Sequence, residues 1–232
     1  MIKLFRYLLI GSVIIFITEN AYSQATTSGA NTITTAVPFL TITPDSRAGG
    51  MGDAGVGLTP DVSSQHWNPA KYVFMESDMG VGLSYSPWLR NLVDDINLAY
   101  LSGYKKLDDV SAVAASLRYF SLGDIVFTSD FGEFQGQQSP NEFALDLGYS
   151  RKLSEIFSGA VSLRYIRSDL TGGQMVNGVE THAGNAFAAD VAFYWYNEFR
   201  ANRKDQLLSA GINIQNIGSK ISYTDGEVKD FI

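Results

Sequence analysis

From about Gly80 onward, apolar residues recur at every second position. In Glu142–Arg151 (EFALDLGYSR), Phe143, Leu145, Leu147 and Tyr149 share one face, and Glu142, Ala144, Asp146, Gly148 and Ser150 share the other. The same alternation sets Val113, Ala115, Leu117 and Tyr119 against Ala114, Ser116 and Arg118, and Val161, Leu163 and Tyr165 against Ala160, Ser162 and Arg164. Phe187, Ala189, Val191, Phe193 and Trp195 oppose Ala188, Asp190, Ala192 and Tyr194. Leu208, Ala210, Ile212 and Ile214 oppose Ser209, Gly211, Asn213 and Gln215. Weaker copies place Val81, Leu83 and Tyr85 on one apolar face and Ile96, Leu98 and Tyr100 on another. A period of two is the signature of a strand with unlike faces. The pattern predicts an all-β chain with seven strands, each of roughly ten residues, the length that crosses a bilayer when tilted.

A soluble sandwich also alternates, and two features favour a membrane barrel. The apolar faces run the whole strand and meet an aromatic near an end, at Tyr85, Tyr100, Tyr119, Tyr149, Tyr165 and Trp195, as interface girdles require. The connections alternate in length. Lys105–Asp109 and Lys152–Glu155 are short, whereas Ser121–Pro140 and Asp169–Gly184 are long and rich in Gly, Ser, Thr, Asp and Gln. Short turns on one side and long loops on the other are the outer-membrane pattern, and strands in hydrocarbon must close into a ring. If the first strand leaves the periplasm, both long loops lie outside. The seventh strand ends outside, and since single-chain barrels have even strand numbers, an odd count predicts a chain that stops before its barrel is complete. A second arrangement closes eight strands by adding Phe39–Thr43 (FLTIT).

The N-terminus adds an address. Lys3 and Arg6 precede an apolar run of 11 residues, Tyr7–Ile17, too short to span as a helix and right for a signal-peptide core. Cleavage after Ser23 makes residues 1–23 the signal, 24–78 a separate segment and 79–232 the strand region. The absence of cysteine excludes disulfides, thiolate metal sites and a lipoprotein anchor. Charged residues are only 18 % and the net charge is −7. The first 23 residues contribute Lys3, Arg6 and Glu19, a net +1, so the remainder carries −8, which argues against nucleic acid as a partner.

Between them lies GGMGDAGVGLTPDVSSQHWNPA, Gly49–Ala70. Gly50, Gly52 and Gly55 spell G-x-G-x-x-G, a dinucleotide fingerprint only where a strand ends and a helix begins. Pro60 and Pro69 interrupt the helix this requires, so no cofactor is expected. Candidate chemistry is thin. His66 and His182 fall in regions expected on opposite sides of a barrel, and no nucleophile elbow is present. Asp94–Asp95 and Asp108–Asp109 read as solvated strand-end charges. Asp124, Asp130 and Glu133 lack a metal-ligand spacing. Arg118, Asp146, Arg164 and Asp190, on the polar strand faces, are expected to form a charge network, with a solute pathway as the sharper alternative. The chain is expected not to be an enzyme.

The run PDSRAGGMGDAGVGLTPDVSSQHWNPA, with PWLRNLVDDINLAYLSGY after it, resembles PorV-type outer-membrane proteins of the type IX secretion system, which are FadL-like barrels. The resemblance continues to the end of the chain. It implies a barrel of 14 strands, of which this sequence supplies about half, and an N-terminal plug in the lumen. The plug motif is then Gly50, Gly52, Gly55, Trp67, Asn68, Pro69 and Ala70, with Asp45 and Arg47 as charges the lumen satisfies. It also implies outer-membrane lipid, a translocon barrel, exported cargo and a surface sortase or attachment complex as partners. A channel for hydrophobic solutes is the alternative function. Lipid A deacylation, also associated with the family, has no supporting residue here.

Overall fold

The computed structural model describes residues 37–87, 95–128, 131–170, 172–173, 175–176, 179–201 and 204–224. The expected signal peptide, residues 1–23, lies outside them. Among these residues eleven strands follow one another: β1 Met79–Pro87, β2 Ile96–Lys106, β3 Ser111–Leu122, β4 Ile125–Thr128, β5 Phe134–Gln138, β6 Asn141–Ser154, β7 Phe157–Asp169, β8 Met175–Val176, β9 Val179–Glu180, β10 Gly184–Ala201 and β11 Lys204–Gly218. Seven of them, in the order β1-β2-β3-β6-β7-β10-β11, form a single antiparallel sheet. It curls into half a barrel. These are the seven strands of the alternation. The remaining four make two hairpins, β4–β5 and β8–β9, inside the two long connections.

Alternation sets the faces. Leu147 is 58 % exposed on the convex face and Asp146 is 5 % exposed on the concave one. Val81, Leu83, Leu117, Leu145, Val161, Leu163, Phe187, Ile212 and Ile214 are also exposed on the convex side. An apolar surface this continuous suits lipid, not water. Tyr165 lies between Phe143 and Phe187, at ring distances of 6.0 and 5.1 Å, in an aromatic row near the ends that carry the long connections. Phe157 stacks on Phe193 at 5.9 Å toward the opposite ends. Eight residues of β7 separate Tyr165 from Phe157, about 26 Å along a strand. At the usual tilt this is about 20 Å across the membrane, close to the apolar band of outer-membrane barrels. Among the described residues no helix is long and apolar enough to cross.

The concave face carries mostly small residues, among them Ala112, Ala114, Ala144, Ser158, Ala160, Ser162, Ala188 and Ala192. Residues 37–78 fill the space these leave. This inner segment contains four short helical elements: Pro38–Thr41, Ser46–Gly49, Ser64–Trp67 and Pro69–Phe74. Phe39 and Leu40 pack against Leu98, Phe120, Ala144, Ile166 and Ala186 at one end of the sheet. Tyr72 and Val73 pack against Tyr104, Ala112 and Ala114 at the other.

Two expectations are corrected. Phe39–Thr43 is not an eighth strand: Pro38 starts a 3-10 helix through Thr41, because its fixed φ and absent N–H suit a helical first position. In β2 the phase is reversed. Leu98 and Tyr100 are buried on the concave face, and Leu101, paired with Leu83, is exposed on the convex one. Tyr100 therefore belongs to no girdle. The concave face is not uniformly polar; where the inner segment brings Phe39 and His66, the strand answers with apolar and aromatic side chains.

Candidate functional site

The inner segment makes little regular structure, so its backbone groups need partners from elsewhere. Inward side chains of the strands supply them. Arg118 donates to the carbonyls of Leu40 (2.7 Å) and Phe39 (3.2 Å). Ser158 donates to Ala70 O (2.6 Å), Tyr194 to Leu58 O (3.2 Å) and Ser209 to Gly57 O (2.7 Å). Asn213 donates to Trp67 O (2.9 Å) and Gln215 to His66 O (2.7 Å). In the opposite direction, Asn68 Nδ2 donates to Phe193 O (2.9 Å). Sheet and segment thus share one hydrogen-bond ledger.

Within the segment, the glycines of the G-x-G-x-x-G string have separate jobs. Asp45 caps the helix Ser46–Gly49 by accepting from Ala48 N (2.8 Å). Gly50 continues that helix as its C-cap (φ −67°). Gly52 (φ +73°) and Asp53 (φ +62°) then turn the chain left-handedly, and Asp53 N reaches back to Ala48 O at 2.9 Å. A β-carbon on Gly55 would lie 2.0 Å from the Trp67 ring. Trp67 is fixed from the far side, its Nε1 donating to Asp45 Oδ2 at 2.8 Å. Asn68 is extended (φ −165°, ψ 96°) ahead of Pro69, and its Oδ1 accepts from Ala70 N at 3.0 Å, starting the helix Pro69–Phe74. Of the seven motif residues, Gly55 meets Trp67, Asn68 and Ala70 meet the strands β7 and β10, and Gly50 and Gly52 shape the turn that follows the helix Ser46–Gly49. Arg47 pairs with Asp61 at 2.7 Å on a half-exposed flank.

Lys71 is fully buried, with Nζ donating to Gly55 O at 3.0 Å. Burial draws its pKa down to about 8; Asp61 and Asp45 oppose this and Arg47 adds to it.

Three of the four expected network residues are joined. Arg164 donates to Asp146 Oδ1 (2.5 Å), Asp190 Oδ2 (2.9 Å) and Asn216 Oδ1 (2.5 Å). Ser116 holds the other Asp146 oxygen at 2.9 Å, and Asn216 N donates to Asp190 Oδ1 at 2.7 Å. Arg118 is spent differently. Besides the two carbonyls, its NH2 group meets His66 Nδ1 at 2.6 Å, and its guanidinium lies 5.4 Å from the Tyr100 ring centre. Burial, with Arg118, Arg164 and Lys71 nearby, holds the His66 pKa well below its usual 6.5.

Asn216 was not foreseen. It sits in a β-bulge where the register of β10 and β11 shifts between Ala189 and Val191, with φ +61°. The sequence does carry a sign: the exposed apolar residues of β11 step from Ile214 to Ile217, three instead of two. Lys71 and Gln65, the latter donating to Ser162 Oγ at 3.1 Å, left no comparable trace.

The other candidates lie apart. His66 is central on the concave face, whereas His182 precedes β10 and donates its backbone N–H to Tyr223 O. Asp95 accepts from Asp124 N, and Asp108 accepts from Val110 N in the turn after β2. Asp94 and Asp130 lie outside the described residues, and Glu133 is exposed next to β5. Among the described residues no three His, Asp or Glu side chains are grouped to hold a metal.

A half-barrel with an apolar convex face, and a concave face bonded to its own N-terminal segment, defines a membrane-barrel class of protein. Residues 24–232 match the family model described as type IX secretion system protein PorV. The chain belongs to that family, and its role lies in the type IX secretion system. Comparison with individual curated proteins gives no match.

Proposed function

We propose that this chain is an outer-membrane component of type IX secretion that binds exported cargo and the translocon barrel and passes cargo to the surface attachment complex. The family match over residues 24–232 carries this reading. The convex apolar face supports lipid as its surroundings, and residues 37–78 then act as a lumen plug. The plug also weighs against a solute channel. The inward polar groups that would line a pathway, Arg118, Ser158, Asn213 and Gln215, are already bonded to the inner segment's backbone, and Asp146, Arg164 and Asp190 to one another. We read the chain as non-enzymatic.

The test is a deletion strain complemented with tagged protein. Exported cargo is expected to be lost from the cell surface on deletion and restored on complementation, with cargo and translocon co-purifying and fatty-acid uptake unchanged. Normal cargo display in the deletion strain, together with impaired uptake, would reverse the assignment in favour of the channel.

A further inference from the structure

His66 is placed so that its protonation state decides how the inner segment is held. A guanidinium has donors and no acceptor. At 2.6 Å from Arg118 NH2, His66 Nδ1 must therefore accept, and the ring must be neutral with its proton on Nε2. The same guanidinium donates to the carbonyls of Phe39 and Leu40, far away in the segment. One strand side chain thus ties both ends of the stretch from 39 to 66 to β3, and the tie needs an uncharged imidazole.

The surroundings offer a protonated ring no counter-charge. Arg118 faces it from β3, Arg164 from β7 and Lys71 from the following helix. From β2 comes the Tyr100 ring, edge-on at 6.5 Å, and within the segment Trp67, edge-on at 4.5 Å. From β11 the partner is neutral Gln215, which bonds the His66 carbonyl. The nearby acids, Asp146 on β6 and Asp190 on β10, are committed to Arg164. A proton on Nδ1 would replace an acceptor with a donor and set two cations against each other.

We propose that His66 is an acid-sensitive latch: the neutral ring holds Arg118, Arg118 holds the inner segment, and protonation of the ring releases that segment from the sheet while the strands stay paired. A detached ring takes up its proton around the ordinary pKa of 6.5. The docked form, with its lowered pKa, does not, so docking is strongest above 6.5 and is lost as pH falls below it. Below the pKa of the detached ring, one proton per event gives a tenfold change in the detached-to-docked ratio per pH unit, which amounts to about 30-fold between pH 7.5 and pH 5.

Hydrogen exchange on the full-length protein in detergent or lipid tests this, with protection expressed relative to the intrinsic rate at each pH. The reporter amides are Gly49, Gly50, Asp53 and Asn68, each bonded within the segment. Paired amides of β6 and β7 are the reference. Segment protection is expected to fall about 30-fold from pH 7.5 to 5 with the strands unchanged. His66→Asn keeps an acceptor and cannot be protonated there, so its profile is expected to be flat. His66→Gln is the second variant should His66→Asn fail to fold. A change below threefold in the native protein, an equal loss in strands and segment, or the same pH dependence in either variant would overturn the latch.

Discussion

Gly55→Ala isolates the contact between the glycine string and Trp67. The added methyl would sit 2.0, 2.2 and 2.4 Å from three ring carbons, where carbon contacts prefer about 3.5–4.0 Å. One side must move by more than 1 Å. If the ring swings, it loses the bond from Nε1 to the Asp45 carboxylate, worth about 1.5–3 kcal/mol. If the backbone recedes, Gly55 O leaves Lys71 Nζ, and a buried ammonium loses its acceptor. Overpacking adds about 1–3 kcal/mol. Together these give a loss of about 2.5–6 kcal/mol. Gly52→Ala meets nothing within 4 Å and carries only the left-handed backbone penalty, about 1–2 kcal/mol. Trp67→Ala removes the obstacle, so Gly55→Ala added to it should cost under about 1 kcal/mol, a coupling of at least about 1.5 kcal/mol. Urea titrations of the full-length protein, followed by circular dichroism of the strands, give all four values. A Gly55→Ala loss no larger than that of Gly52→Ala, or one undiminished beside Trp67→Ala, would refute the collision.

Leu147→Arg, on the convex face near the middle of β6, should cost about 2–4 kcal/mol in lipid vesicles, whereas Leu147→Ala should cost clearly less; equal losses would show that this face does not meet hydrocarbon. Arg164→Met strands two buried carboxylates and should cost about 3–5 kcal/mol, while Asp146→Ala leaves the neutral pair of Arg164 and Asp190 and should cost less. Folding titrations giving the opposite order would mean that the three side chains are not a single charged unit.

The seven strands were legible because one face of each meets a single, uniform environment. A lipid-facing surface tolerates little but apolar side chains, so β3, β6, β7, β10 and most of β11 announce their phase. β2 did not, for a physical reason. Its concave residues Leu98 and Tyr100 serve an apolar and aromatic part of the inner segment, and its convex residues include Asn97 and Gly103, so the more apolar face is the inner one. The network was half legible. Alternation places Arg118, Asp146, Arg164 and Asp190 on one face but says nothing of who meets whom, and a bulge made the missing partner of Arg164. The hairpins β4–β5 and β8–β9 sit in connections whose Gly and Gln content gave no period.

The two concave arginines show how one residue type performs two tasks. Arg164 lies between two carboxylates, 5 % exposed at its side chain, and its three hydrogen bonds go to charged or amide oxygens. Its partners all come from strands, β6, β10 and β11, so it ties the sheet to itself. Arg118 has an imidazole nitrogen and two backbone carbonyls instead, each a neutral acceptor, and all three belong to the inner segment. A buried cation with neutral partners is held less tightly than one between carboxylates. The weaker of the two is therefore the attachment of segment to sheet, and the stronger is the attachment of strand to strand. Any perturbation that acts on charge should loosen the segment before it opens the half-barrel.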